Sequence, residues 1–422
     1  MRLNVTSEIG KLKSVLVHLP GREIDQMVPP MMAQLLFDDI LYGQEAREEH
    51  RRFQQLIRFI ADEVIDLRDL LEEVLEDEEV KERIVRDLAK RKHLNRNLVS
   101  SLIEERPAAL AEVLIAGIAR EMEPGELPRF DLNPIPNLFF MRDPQIVIGD
   151  RVVVSAMATQ ARRRESLLSK YVFENHPSFR REKIFWVDLM ATEPSGPVTR
   201  KSATLEGGDV LVPRKDLLLI GVTERTSKAG VEALMRALKE QKSGIKSVII
   251  VEIPRQRSFM HLDTIFTFIN RHECLIYPPV ILQSGSQAAT ITTVDLSKKE
   301  STYTAQKSLL GALKKKGMDL EPINCGGDSA VDQQREQWTD GANAFALAPG
   351  VILLYERNVR TAEALDKKGY NVVHEDDVLL GRTELETWTN KKYALQIAGN
   401  ELSRARGGPR CMTMPLERED LQ

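Results

Sequence analysis

Cysteine is scarce in this chain, and what there is does not pair. Cys274, Cys325 and Cys411 are the only three in 422 residues, and they form no CxxC motif and no even framework. A disulfide scaffold is excluded, and a reducing, cytoplasmic setting is expected. No apolar run approaches the ~18 residues that a membrane-spanning helix needs, so no membrane partner is expected. Met1 to Gly10 carries asparagine and glutamate and lacks an apolar core, so no secretory leader is read there. Excess positive charge is missing too. A formal net charge of −4 argues against nucleic acid or an anionic membrane as the main partner. Neither GxxxxGK[ST] nor GxGxxG occurs, so nothing suggests a nucleotide. The only compact metal-type cluster, His272-Glu273-Cys274, lacks a matching second half, and no metal or cofactor is expected.

What is present describes a large globular protein. Hydrophobic residues at 42 % and charged residues at 29 % exclude disorder, and 422 residues call for two domains or a repeated architecture. Residues 11–20, KLKSVLVHLP, read as a short strand ending at Pro20-Gly21. From Pro30 to about Gly125 glycine nearly disappears and apolar residues recur at helical spacing. Several amphipathic helices packed on one another are expected there, and runs such as Glu76 to Glu79 read as solvated faces.

Beyond Glu126 the period changes to two. PQIVIGDRVVVSAM reads as a hairpin turning at Gly149-Asp150, followed by a helix in QARRRESLLSKYVF. The plan returns in GGDVLVPRKDLLLIG with VTERTSKAGVEALMRALKE, and again in GANAFALAPGVILLYERN with VRTAEALDKKGYNVV. Its strand–turn–strand half recurs in HLDTIFTFINRHECLIY. Such units cannot bury their apolar faces alone, so they must assemble about a shared centre. The polar residues that open each copy, Asp143, Asp209, Asp263 and Asn343, would then fall at equivalent places near one axis.

Several groups could carry chemistry. In Arg406-Gly407-Gly408-Pro409-Arg410-Cys411, glycines and a proline fix a tight turn. The flanking arginines are expected to ease ionisation of the Cys411 thiol, whose thiolate is the nucleophile. His261-Leu262-Asp263 opens an apolar strand whose alternation would put His261 and Asp263 on one face. An acid/base with a binding carboxylate, two metal ligands, and a histidine satisfied by a surface acid all fit that pattern. Glu206 precedes Gly207-Gly208; it could raise the basicity of a histidine or simply be exposed on a turn. Asp143 is either a pre-proline turn residue or the partner of a cationic ligand, with Phe140 packed against it. Arg162 and Arg225 share one strand-to-helix position in two copies. Either could grip a carboxylate bidentately or lie on the surface.

The stretches NLFFMRDP, TLEGGD, ERTS, HLDT, REQWTDGAN and RGGPRC, in that order along nearly the whole chain, resemble the arginine deiminases of the guanidino-group-modifying (pentein) superfamily. The resemblance implies an α/β fold, a fivefold pseudosymmetric α/β propeller of ββαβ units in residues 1–30 and 126–422. An α-helical domain is inserted at residues 31–125. It implies Cys411 as nucleophile, His261 as general acid/base, Glu206 as the partner of that histidine, and Asp143 with Asp263 as the guanidinium grip. Asn137, Phe140, Arg162, Arg225, Arg406 and Gly408 match positions that line the substrate or hold its α-amino-acid end. Phe139 and Met141 stand where tyrosine and threonine are commoner, and Thr339, Ala342 and Ala344 depart from QWNDGSN. The implied reaction is hydrolysis of L-arginine to L-citrulline and ammonia, by a cytoplasmic homo-oligomer (dimer or tetramer) that needs no cofactor. An amidinotransferase, with an amine in place of water, a deiminase acting on another guanidino compound, and a non-catalytic arginine-binding protein are the alternatives.

Overall fold

The computed structural model describes residues 1–120, 126–179, 183–192, 202–282, 285, 287–386 and 389–421. Among them one pairing pattern occurs five times: an antiparallel strand pair, a helix, and a third strand parallel to the second. Gln145–Ile148 pairs antiparallel with Arg151–Val154, which then takes Phe185–Asp188 in parallel across helix Arg163–Asn175. Val210–Arg214, Leu217–Val222 and Ser247–Glu252 repeat this across helix Lys228–Glu240. Phe266–Asn270, Glu273–Ile276 and Glu321–Asn324 do so around helix Leu309–Lys315. Phe345–Ala348, Val351–Tyr355 and Lys392–Ile397 do so around helix Val359–Asp366.

The fifth copy joins the two ends of the chain. Met414–Arg418 lies antiparallel to Leu12–Val17, which pairs in parallel with Glu63–Asp66 across helix Gly43–Arg58. A short strand thus stands within residues 31–125, where packed amphipathic helices were expected. Val64 and Ile65 are β-branched, and four residues of that segment are pinned to Ser14–Val17. The helices that follow begin where the sequence supplies caps. Asp66 accepts from Arg68 N, Asp77 from Glu79 N and Val80 N, Asn95 from Leu98 N, and Pro107 opens Pro107–Ala116. Leu70, Leu71, Leu110 and Leu114 from these helices share a core with Leu168 and Val172 of helix Arg163–Asn175. The predicted junction at 125/126 adjoins residues 121–125, which lie outside the described residues.

Apolar strands leave little choice of where polar atoms sit. Residues at the strand mouths therefore carry the buried polar groups, including Asp143, Asp209, Asp263, Asn343 and His261. No helix among the described residues is long and apolar enough to cross a membrane. All three cysteines are free and buried.

Candidate active site

The strand-opening residues latch one copy of the repeat to the next. Asp143 Oδ1 accepts from Gly208 N at 3.1 Å, Asp209 Oδ1 from Leu262 N at 2.8 Å, and Asn343 Oδ1 from Cys411 N at 3.1 Å. Asp263 departs from that pattern. Its Oδ2 accepts from Arg410 Nη1 at 2.7 Å, while its buried Oδ1 has no hydrogen-bond partner among the described residues. An acceptor left unsatisfied in a buried position costs stability unless something fills it, so Asp263 Oδ1 points to a bound donor.

Backbone crowding positions the histidine and its partner. Gly207–Asp209 and Leu262–Thr264 are single 3-10 turns, so His261 caps the second turn and Asp263 lies within it rather than the two sharing a strand face. The strand begins only at Phe266, because Thr264 N and its hydroxyl both close back on the His261 carbonyl. A Cβ on Gly207 would lie 1.9 Å from the Arg142 carbonyl, and one on Gly208 would lie 2.6 Å from the His261 ring. Only glycine permits this approach. Gly207→Ala is expected to destabilise the protein by about 1–3 kcal/mol, read as a lowered urea midpoint, because the backbone it meets cannot rotate away.

His261 Nε2 lies 2.8 Å from Glu206 Oε2, and its Nδ1 lies 3.7 Å from Asp143 Oδ1. Burial works against its charge, but Asp143, Glu206 and Asp209 outweigh that and raise its pKa, so the ring is an imidazolium at neutral pH. Burial likewise opposes ionisation of Glu206. The hydrogen bond to His261 and the charges of Arg225, His261 and Arg162 hold that carboxylate below its usual range.

The flanking arginines do not bring the thiol down as the sequence suggested, although the charge of Arg406 reaches Cys411. Arg410 turns away to Glu8 and Asp263, and Arg406 stacks on Trp338. Burial, then the charges of Asp263, Asp143 and Asp340, push the Cys411 thiol well above its ordinary value. In the free protein Cys411 is a neutral thiol. Its alkylation by iodoacetamide, read by peptide mapping apart from Cys274 and Cys325, is therefore expected to be slow at pH 7 and to keep accelerating past about pH 9. A rate already saturated near pH 7 would contradict this.

One cavity gathers most of the expected residues. Asn137, Phe140, Asp143, Arg162, Arg225, His261, Arg406 and Cys411 line it, with Leu36, Asp38, Met260, Thr264 and Ala405. Asp263, Glu206 and Gly408 stand behind this wall. A Cβ on Gly408 would press within 2.7 Å of Asn343 Oδ1, and one on Gly407 within 2.2 Å of the Phe140 ring. Asn137 donates to Leu35 O, tying its loop to the chain beside Leu36. Arg162, expected at the amino-acid end of a ligand, instead donates to Asp143 Oδ2 at 2.8 Å and forks onto Glu165. Arg225 and Arg406 differ from it. They are 8 % and 6 % exposed, neither forms an ion pair among the described residues, and each has Nε and Nη1 without a hydrogen bond.

Asp143, Glu206 and His261 bring ligand-type atoms within 4.8 Å of one another. Arg162 is 2.8 Å from the first carboxylate and 3.8 Å from the second, so these acids already face cations and the set suits a guanidinium or imidazolium. At the other metal-type motif, Glu273 is taken up by Asn270, Tyr370 and Lys392, and burial pushes the Cys274 thiol up.

Sequence reasoning missed the outer support. Arg410 is held by Glu8, 402 residues earlier, and no local pattern marks Glu8. Asp340 is buried with its pKa pushed up to about 7, and it sits in the legible stretch REQWTDGAN without having been singled out.

This arrangement, a buried thiol with an imidazolium–carboxylate pair, two aspartates and two arginines outside any ion pair among the described residues, suits a ligand with a guanidinium end and a carboxylate end. The fold is shared with a solved structure. Across 99 % of this chain and 98 % of the other, it matches the structure of an amidinotransferase from Microseira wollei in the saxitoxin biosynthetic pathway, with TM-score 0.53 and 13 % identity. The sequence goes further. The arginine deiminase family profile matches residues 33–418. The arginine deiminases of Streptococcus pyogenes (serotype M49, strain NZ131) and Clostridium perfringens (strain SM101 / Type A) are 34 % and 36 % identical, each over 99 % of this chain and 98 % of their own. The chain belongs to the arginine deiminase family.

Proposed function

We propose that the protein hydrolyses L-arginine to L-citrulline and ammonia through a covalent S-alkylthiouronium on Cys411. The observation that carries this reading is a cavity whose wall offers carboxylates around the thiol and, separately, buried arginines with no acid of their own. An amino acid with a cationic end and a carboxylate end complements both.

The chemistry then follows from charge. A guanidinium carbon is a poor electrophile, and Asp143 with the open Oδ1 of Asp263 can orient it and offset its charge as the carbon becomes tetrahedral. Arg162 lends Asp143 a counter-charge until the substrate's own cation arrives. That cation opposes the negative field that keeps Cys411 protonated, so substrate itself favours the thiolate. Sulfur adds to the guanidinium carbon, and the His261 imidazolium gives its proton to the departing amino group, which leaves as ammonia. Neutral His261 then takes a proton from water as the water oxygen adds to the thiouronium carbon. Collapse expels the Cys411 thiolate and releases citrulline. Glu206 fixes the ring and stabilises its cationic form. Arg225 and Arg406 receive the substrate carboxylate, and Asn137, Phe140 and Gly408 shape the cavity around the rest.

The five repeated units, one closed by pairing the two chain ends, support a fivefold pseudosymmetric α/β propeller. The inserted helical part is then best placed at 67–116, inside the 31–125 expected from the sequence, since helix Gly43–Arg58 and strand Glu63–Asp66 complete a repeat. Family membership supports a homo-oligomer, dimer or tetramer, which sedimentation velocity would resolve.

The test is to incubate the protein with L-arginine and to assay citrulline and ammonia, with and without glycine or ornithine. Equal release of both, unaffected by added amine, supports hydrolysis. Arginine consumed only with the amine present, without citrulline, would make the protein an amidinotransferase.

A further inference from the structure

Arg406, like Arg225, stands outside the ion pairs that hold the other cations of the site. Arg162 is clasped by Glu165 and Asp143, and Arg410 by Glu8 and Asp263. Arg406 forms no such pair among the described residues; it is buried, burial lowers its pKa, and the more distant charge of Asp340 only partly opposes that. Its backbone is held at φ 65°, in the left-handed region, directly before Gly407. Its guanidinium carbon lies 3.4 Å from the centre of the Trp338 ring.

Trp338 is placed for that contact. It ends helix Ala330–Trp338, whose N-terminus is capped by Ser329, and Gln337 beside it donates to the Ser258 carbonyl, fixing the helix end over the site. The indole is 47 % exposed. A large apolar ring half in water is hard to explain by core packing, and it covers a side chain of the cavity wall.

We propose that Trp338 is a positioning residue that sets the Arg406 guanidinium for a substrate carboxylate. The inference rests on the reading that Arg406 receives that carboxylate. A ring face orients a guanidinium plane and offsets part of its burial, yet leaves the charge and the in-plane N–H donors free. An acidic partner would hold the side chain equally well but would compete with the incoming carboxylate. Stacking gives order without neutralisation.

The test compares steady-state kinetics of wild type, Trp338→Ala, Trp338→Phe, Arg406→Ala and the Trp338→Ala/Arg406→Ala pair, with thermal midpoints as a folding control. Trp338→Ala is expected to raise KM for L-arginine about tenfold with kcat changed less than about twofold, and Trp338→Phe to recover most of the loss. In the Arg406→Ala background, Trp338→Ala is expected to add almost nothing, because its effect passes through Arg406. A wild-type KM in Trp338→Ala, or an undiminished further loss in the Arg406→Ala background, would overturn the role of Trp338 while leaving Arg406 in place. A wild-type KM in Arg406→Ala would instead remove the carboxylate reading on which the inference stands.

Discussion

Cys411→Ser is expected to abolish turnover of L-arginine, on the order of 10⁴-fold or more, while the protein remains folded. Cys411 N is held by Asn343 and its carbonyl accepts from Arg142 N, so the backbone at this position does not depend on sulfur. Serine is close in volume and fits the same turn. It is a far weaker nucleophile here, because Asp263, Asp143 and Asp340 oppose any anion at that place and an alkoxide costs more to form than a thiolate. The check pairs kcat with a thermal melt. A folded Cys411→Ser protein within about tenfold of wild type would remove the covalent mechanism.

Asp143→Asn is the second large effect. The change keeps shape and can keep the hydrogen bond from Gly208 N, but it removes the charge that faces Arg162 and His261. Taking one partner from a buried ion pair costs about 3–5 kcal/mol, which corresponds to roughly 10²- to 10⁴-fold in kcat/KM if the loss falls on substrate binding and the transition state. Glu165 still holds Arg162, so stability should fall by much less than activity. His261 also loses the largest of the charges that raise it. The alkaline limb of the pH–rate profile, where His261 loses the proton it must carry, should therefore move to lower pH. Comparable activity in Asp143→Asn and wild type would contradict the guanidinium grip.

The strands were legible because their chemistry is local. Alternation in PQIVIGDRVVVSAM and its echoes reports one buried face after another, and the hairpins stand where that pattern places them. The strand Glu63–Asp66 was not legible. Four residues between helices carry too little alternation to register, and only pairing with Leu12–Val17 gives them a structure. The candidate residues were visible as motifs, yet their electrostatics were not. Sequence proximity of Arg406 and Arg410 to Cys411 suggested an acidic thiol. The side chains are instead engaged elsewhere, one on a tryptophan and one by Glu8 at the far end of the chain, and burial with three aspartates decides the thiol. A turn at Leu262–Thr264 replaced the expected strand because Asp209 captures Leu262 N, a contact made between copies of the repeat and hidden from any local pattern.

The most direct measurement is the mass of the Cys411 peptide from protein quenched in acid during the first turnovers with L-arginine. The expected result is a transient species heavier by arginine less ammonia, on Cys411 and not on Cys274 or Cys325, with ammonia appearing ahead of citrulline. Ammonia and citrulline rising in strict parallel, with Cys411 unmodified at every time from the first turnover onward, would contradict a covalent intermediate and the account built on it.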